Sequence, residues 1–184
     1  NRDIWPDNFT TKARVTKINR AEAIFDPFFD PALSGLKEWR INDGKKHGLK
    51  VWQFWAYVSF EWTKKPDNNI ALDMTREYDI DCSGYDRLLV AVAIPKSTAI
   101  IITAKTDKGN LTQRYKSKDI FNKEFALDLK GSKRIKAVNI IIECEEEGIQ
   151  QGWFNWIGLQ NSKALEYYLN QFTEFDPKWD GYLK

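Results

Sequence analysis

Apolar and polar positions alternate with a period of two over much of the chain, and turn residues separate the runs. Arg87–Pro95 is a run of Leu, Val, Ala and Ile closed by Pro95-Lys96-Ser97, and Thr98–Thr106 is a β-branched run closed by Asp107-Lys108-Gly109-Asn110. The second closure supplies the Asp, Gly and Asn that hairpin loops need for positive φ. Leu111–Lys116 then returns, Glu124–Leu129 sets Phe125, Leu127 and Leu129 against polar neighbours, and Ala137–Cys144 alternates Val138, Ile140, Ile142 and Cys144. Upstream, Leu36–Ile41 predicts a first strand and Ile70–Met74 another, with Thr75–Asp79 leading into the core. Short strands at regular spacing, with turn signals between them, predict a β-sandwich or barrel.

Val51–Trp62 reads as one further strand, Val-Trp-Gln-Phe-Trp-Ala-Tyr-Val-Ser-Phe-Glu-Trp. Alternation places Trp52, Phe54, Ala56, Val58, Phe60 and Trp62 on one face and Gln53, Trp55, Tyr57, Ser59 and Glu61 on the other. The first set reads as a core face. The second mixes two aromatics with hydrogen-bonding groups, the combination a sugar needs: flat rings for its C–H face, and Gln or Glu for its hydroxyls. The competing reading has Trp55 and Tyr57 covered by the N-terminal arm or by another domain.

The ends of the chain break the pattern. In residues 1–35 two Asp-Pro pairs, Asp26-Pro27 and Asp30-Pro31, interrupt any regular element. That segment is expected to be an arm packed on the sandwich, with Phe25, Phe28 and Phe29 needing burial. After Asn161 the period changes to that of a helix: Leu165, Tyr168, Leu169 and Phe172 form one stripe over Ser162–Phe172, with Asn161 or Ser162 as cap. The expected organisation is thus an arm at 1–35, a sandwich at 36–161, and a helix with lead-out at 162–184.

Composition narrows the chemistry. Lys+Arg 28 against Asp+Glu 26 leaves a net charge of +2 with the signs interspersed, so no nucleic-acid footprint is expected. No apolar run reaches the roughly 18 residues of a membrane-spanning helix, and no signal-peptide pattern stands at the start. Aromatic residues at 14%, eight of them Trp, exceed what a core of this size requires. Cys82 and Cys144 fit either a disulfide or two small buried apolar residues. His47, the only histidine, sits in a Lys-Lys-His-Gly loop and reads as exposed, because a zinc site needs three or four ligands. Arg114 and Tyr115 lie on opposite faces of one strand, as ligand-flanking groups or as ordinary surface. Glu143, Glu145, Glu146 and Glu147 form an acidic rim whose carboxylates point in different directions and read as solvated. No Gly-rich phosphate loop, paired metal motif or nucleophile elbow is present, so catalysis is not expected.

Two motifs bear a resemblance. Asp81-Cys82-Ser83-Gly84-Tyr85-Asp86-Arg87-Leu88 and Trp153-Phe154-Asn155-Trp156-Ile157-Gly158-Leu159 resemble the "Asp-Leu-Ser-Gly-Tyr-Asp" and closing "Phe-Asp-Trp-Ile" strands of galactose-binding-like carbohydrate-binding modules. Cys82 replaces an aliphatic residue, and Asn155 replaces an Asp, which weakens a metal role at that position. The resemblance implies an all-β jelly-roll sandwich, secreted, periplasmic or on the cell surface. It further implies that the domain binds a polysaccharide or oligosaccharide without catalysis, and that it is joined to a downstream catalytic domain of a glycan-degrading enzyme. The alternative is a structural accessory domain of a polysaccharide lyase or glycoside hydrolase. No cofactor is expected, although such domains often hold a structural calcium. The expected ligand-binding residues are Trp55, Tyr57, Gln53, Glu61 and Arg114. Alternation on the closing strand puts Trp153, Asn155, Ile157 and Leu159 on one face and Phe154, Trp156 and Gly158 on the other, which makes Trp156 a packing residue.

Overall fold

The computed structural model describes residues 22–29, 35–42, 47–117 and 122–163. The strands are β1 (Glu22–Asp26), β2 (Arg40–Ile41), β3 (Lys50–Gln53), β4 (Val58–Trp62), β5 (Ile70–Asp81), β6 (Arg87–Ala93), β7 (Thr98–Thr106), β8 (Gly109–Lys116), β9 (Asn122–Asp128), β10 (Arg134–Cys144) and β11 (Gln150–Gln160). They form two antiparallel sheets. Sheet A runs β3-β4-β11-β6-β9, with β1 also on β11; sheet B runs β2-β5-β10-β7-β8. The inward side chains of both sheets close one core, from Phe60, Trp62 and Phe154 on sheet A to Leu72, Met74 and Ile100 on sheet B, and this is the all-β sandwich expected.

β11 is the spine of sheet A. β6 lies along one of its edges, while β4 and β1 share the other, β4 against Gln150–Phe154 and β1 against Ile157–Gln160. A bulge leaves Asn155 unpaired between Phe154↔Val92 and Trp156↔Ala91, so the inward set changes parity: Phe154, then Ile157 and Leu159, are all buried. The uniform alternation expected for this strand is therefore corrected. Trp153 and Trp156 both lie on the outer face, half-buried, opposite Ala93 and Ala91.

Three further expectations are corrected. Leu36–Glu38 is a 3₁₀ turn and only Arg40–Ile41 pairs as a strand. His47 is 7% exposed, with Nε2 2.7 Å from the Ala71 carbonyl, because its carbonyl also receives the Thr63 and Lys64 amides and draws the loop onto the sandwich. Val51–Trp62 is a hairpin rather than one strand, since a turn over Phe54–Tyr57 folds β4 back on β3. The helix expected over Ser162–Phe172 lies outside the described residues apart from its first two.

Both cysteines are buried thiols. Cys82 N–H donates to Lys133 and Cys144 N–H to Asn69, at opposite ends of the antiparallel β5–β10 pair. At ~3.3 Å per residue they stand about 30 Å apart, far beyond the roughly 7 Å that a disulfide spans between Cα atoms.

One polar cluster lies between the sheets. A bulge in β1 between Ile24 and Asp26 turns the Asp26 carboxylate inward, where it is 0% exposed. It accepts from Trp39 Nε1 at 3.0 Å, from Arg76 at 2.9 Å and from the Tyr78 hydroxyl. Burial pushes Asp26 above the ordinary carboxylate range against the pull of these donors, and burial beside Asp26 pushes the Tyr78 phenol upward. Phe25 packs edge-on against Tyr78, and the Arg76 guanidinium lies over the Tyr78 ring at 4.9 Å. Phe28, two residues after Asp26, is fully buried against Trp39 and Phe154.

Asp26→Ala leaves the Arg76 guanidinium, 19% exposed, without this partner. Denaturant unfolding is expected to show a loss of about 3 kcal/mol, the low end for breaking a buried pair. Asp107 sits outside the core, and its Oδ1 accepts from the Lys133 and Arg134 amides at 3.0 and 3.1 Å, which fixes the start of β10. The backbone bond from Arg134 leads the causes that hold its carboxyl below the ordinary 3.8. A depressed native pKa gives stability that is present above the unfolded pKa and lost as pH falls through the native one. The melting temperature of Asp107→Asn should accordingly fall less steeply than the parent's between about pH 4 and pH 2.

Candidate functional site

The β3–β4 hairpin carries the exposed aromatic rings. Phe54 N–H donates to the Tyr57 carbonyl at 2.8 Å and closes a turn with Trp55 and Ala56 at its tip. Trp55 is 78% exposed and Phe54 40%. The rings form a continuous chain: Trp55 tilts against Phe54 at 6.1 Å, Phe54 stacks on Tyr57 at 5.0 Å, and Tyr57 meets Trp153 of β11 at 6.0 Å. Register extends the surface across sheet A, because Trp52 and Trp153 both pair with Ser59, and Trp153 also pairs with Ala93. Ser59 and Ala93, the small residues beside the indoles, are 2% and 1% exposed and so lie covered. Phe54 and Tyr57 cover each other's faces, so Trp55 is the ring best presented to solvent.

Gln53 holds this turn in place. Its Oε1 accepts from the Leu36 amide at 3.1 Å, and its Nε2 donates to the Phe28 and Phe54 carbonyls at 2.9 and 2.8 Å. The side chain thereby joins β3 to the 3₁₀ turn and to the segment after β1. Gln53 is thus engaged with the protein's own backbone. Glu61 lies on the outer face of β4 beyond the turn, with Lys50 across the hairpin at 3.9 Å. Arg114 is on sheet B, where it donates twice to Glu143 at 3.0 and 2.8 Å. The structure therefore brings Trp55, Tyr57 and Gln53 together and leaves Arg114 on the opposite sheet. Phe54, Trp52 and Trp153 are the members of the aromatic surface that the sequence reading did not select. The Lys50–Glu61 pair was the available signal, since two opposite charges flanking a run of aromatics suit a hairpin better than one long strand.

The outer face of sheet B has a different character. Register aligns Arg40, Thr75, Asn139, Thr103 and Thr112 in one row across all five strands. Asn139 Nδ2 donates to Asp73 at 2.7 Å and lies 2.9 Å from the Thr75 hydroxyl. Asn42 reaches the other Asp73 oxygen at 2.9 Å, and Thr103 pairs with Thr112 at 3.0 Å. Asn42, Asp73, Thr75, Asn139, Thr103 and Thr112 satisfy one another, while Arg40 stands at the end of the row, and no aromatic ring is in it. Among the described residues no three His, Cys, Asp or Glu side chains converge as a metal site would require, and Glu143 of the acidic rim is taken by Arg114.

The sequence matches no family model and no curated protein. Among solved structures the chain is similar to the agarase AgWH50C, at a TM-score of 0.57 and 9% identity over 77% of this chain. That match takes in 24% of the agarase, so the chain spans about a quarter of its length. It is also similar to CBM1 of BiXyn10A in its apo form, at a TM-score of 0.54 and 10% identity over 76% of this chain and 96% of that one. A variant of CBM29-2, a family 29 carbohydrate-binding module, aligns at 0.48 with 7% identity over 76% and 91% of the two chains. At these identities the likeness is one of fold, the jelly-roll sandwich that carbohydrate-binding modules share.

The division of labour within the hairpin has a measurable consequence. Gln53→Ala strands the Leu36 amide and should cost about 1–3 kcal/mol in denaturant unfolding. Trp55→Ala, at a tip that contributes little packing, should stay within about 0.5 kcal/mol of the parent.

Proposed function

We propose that this domain is a non-catalytic carbohydrate-binding module that recognises a polysaccharide or oligosaccharide through the aromatic turn of the β3–β4 hairpin. The observation that carries the reading is Trp55, a large indole 78% exposed on a turn braced by Gln53. An indole held this way offers a flat, preorganised apolar face for the C–H face of a pyranose, and it loses little side-chain freedom on binding. Tyr57 and Phe54 support it from behind, and Glu61 and Lys50 supply hydrogen-bonding groups farther along the outer face of the same hairpin. The setting we propose is a secreted or cell-surface glycan-degrading enzyme in which this domain is an accessory to a separate catalytic unit. The agarase similarity, which takes in a quarter of that chain, supports this setting.

The same agarase similarity favours a second reading, in which the exposed rings dock a neighbouring domain of the enzyme. The two readings separate in one experiment. Affinity electrophoresis of the 184-residue chain against plant, algal and host glycans should show retardation by at least one polymer. Trp55→Ala should weaken that binding about thirtyfold, the scale of a lost aromatic anchor of roughly 2 kcal/mol. Retardation that survives Trp55→Ala would place the ligand elsewhere, and migration unaffected by any glycan would favour the docking role.

A further inference from the structure

The 3₁₀ turn and β5 enclose a cleft of about 270 Å³ lined by Glu38, Arg40, Thr75, Arg76 and Glu77. We infer that this cleft is a second subsite, taking a neutral, hydroxyl-rich sugar unit, and that it continues the site at Trp55; the inference rests on the glycan reading above. Four observations lead to it. Arg40 pairs in register with Thr75, so both side chains leave sheet B on its outer side at its β2 edge. Glu38, Arg40 and Glu77 are exposed at the cleft, and none of the three has an ion-pair partner among the described residues. This contrasts with the mutually satisfied row beside it, where Asp73, Asn139, Thr103 and Thr112 are already bonded. Finally, the cleft and the aromatic turn are joined through one side chain. Gln53 receives the Leu36 amide at the start of the turn that carries Glu38, and it donates to the Phe54 carbonyl beside Trp55.

The chemistry of the lining sets the ligand class. Carboxylates accept from hydroxyls and a guanidinium donates in a fixed fork, so Glu38, Glu77 and Arg40 together offer both halves of what a vicinal diol needs. The positive charge of Arg76 is matched by the buried Asp26 carboxylate. That leaves two carboxylates against one guanidinium, a balance that repels a uronate or sulfated sugar and accepts an uncharged one.

The test uses the 184-residue chain with two sets of oligosaccharides, neutral ones from mixed-linkage β-glucan, xylan and agarose, and acidic ones from alginate and polygalacturonate. Calorimetric titration should show binding to a neutral series and none to the acidic series. Arg40→Leu and Glu77→Gln, both at exposed positions, should each weaken the neutral ligand about tenfold, the scale of a lost charge-assisted hydrogen bond, with the parental melting temperature kept. If both variants bind as the parent does while Trp55→Ala fails to bind, the site is confined to the turn and the cleft assignment is overturned. Loss in the cleft variants with Trp55→Ala unaffected would instead retain the cleft and sink the role of the indole. Tighter binding of the acidic series overturns the assignment of ligand class, and an absence of binding to either series overturns both readings.

Discussion

The buried carboxylate of Asp26 is the contact on which the closure of this sandwich depends. The two sheets are separate hydrogen-bonded ladders, held face to face chiefly by non-directional apolar packing. Asp26 adds direction. It leaves a strand of sheet A and meets Arg76 and Tyr78 on β5 of sheet B, and Trp39 just before β2. A desolvated carboxylate is costly unless its donors are in place, so the cluster tolerates little sliding of one sheet over the other. Because Phe28 lies two residues on and is buried against Trp39 and Phe154, polar and apolar contacts fix the same few residues. The 3₁₀ turn and the cleft beside it inherit their position from that arrangement.

The bulge at Asn155 carries the second constraint. Without the extra residue, Phe154 and Ile157 would point to opposite faces of β11, and one of them would be lost to the core. With it, Gly152 and Phe154 face inward on the β4 side and Ile157 and Leu159 face inward on the β1 side. Gly152 is needed there because a Cβ would come within 2.3 Å of both the Ala93 carbonyl and the Phe60 ring. Outward, the bulge leaves Trp153 beside Ser59 and within reach of Tyr57, which is how the closing strand joins the aromatic surface.

The strands from Arg87 to Cys144 were legible because their boundaries are written in turn residues. Thr98–Thr106 is found with the bounds its pattern predicts, and Gly109, at φ 111, takes the positive backbone angle that its loop required. The β3–β4 hairpin was not legible. Its turn, Phe54-Trp55-Ala56-Tyr57, contains no Gly, Pro, Asn or Asp, and uninterrupted aromatics allow either one long strand or two short ones. The alternation that singles out Trp55 and Tyr57 is abolished by the turn, yet the turn itself exposes Trp55. The aromatic excess pointed to the right neighbourhood, whereas Gln53, chosen as a sugar ligand, is engaged in bracing the loop. Arg40 and Glu77 belong to segments far apart in the chain, and only the β2–β5 register brings them to one cleft.

The placement of β11 also shapes how the chain reaches its native state. β4, β6 and β1 all pair with this last strand, and β1 does so from nearly the whole described chain away. Sheet B, by contrast, can pair β7 with β8 across a two-residue loop and β10 with both β5 and β7 before β11 is available. Loop closure of this length is slow relative to local hairpins. During synthesis the β3–β4 and β6–β9 pairs can form early, but nothing joins these two halves of sheet A until β11 emerges. β11 then joins those two pairs into one sheet, and any truncation before Gln150 removes its centre.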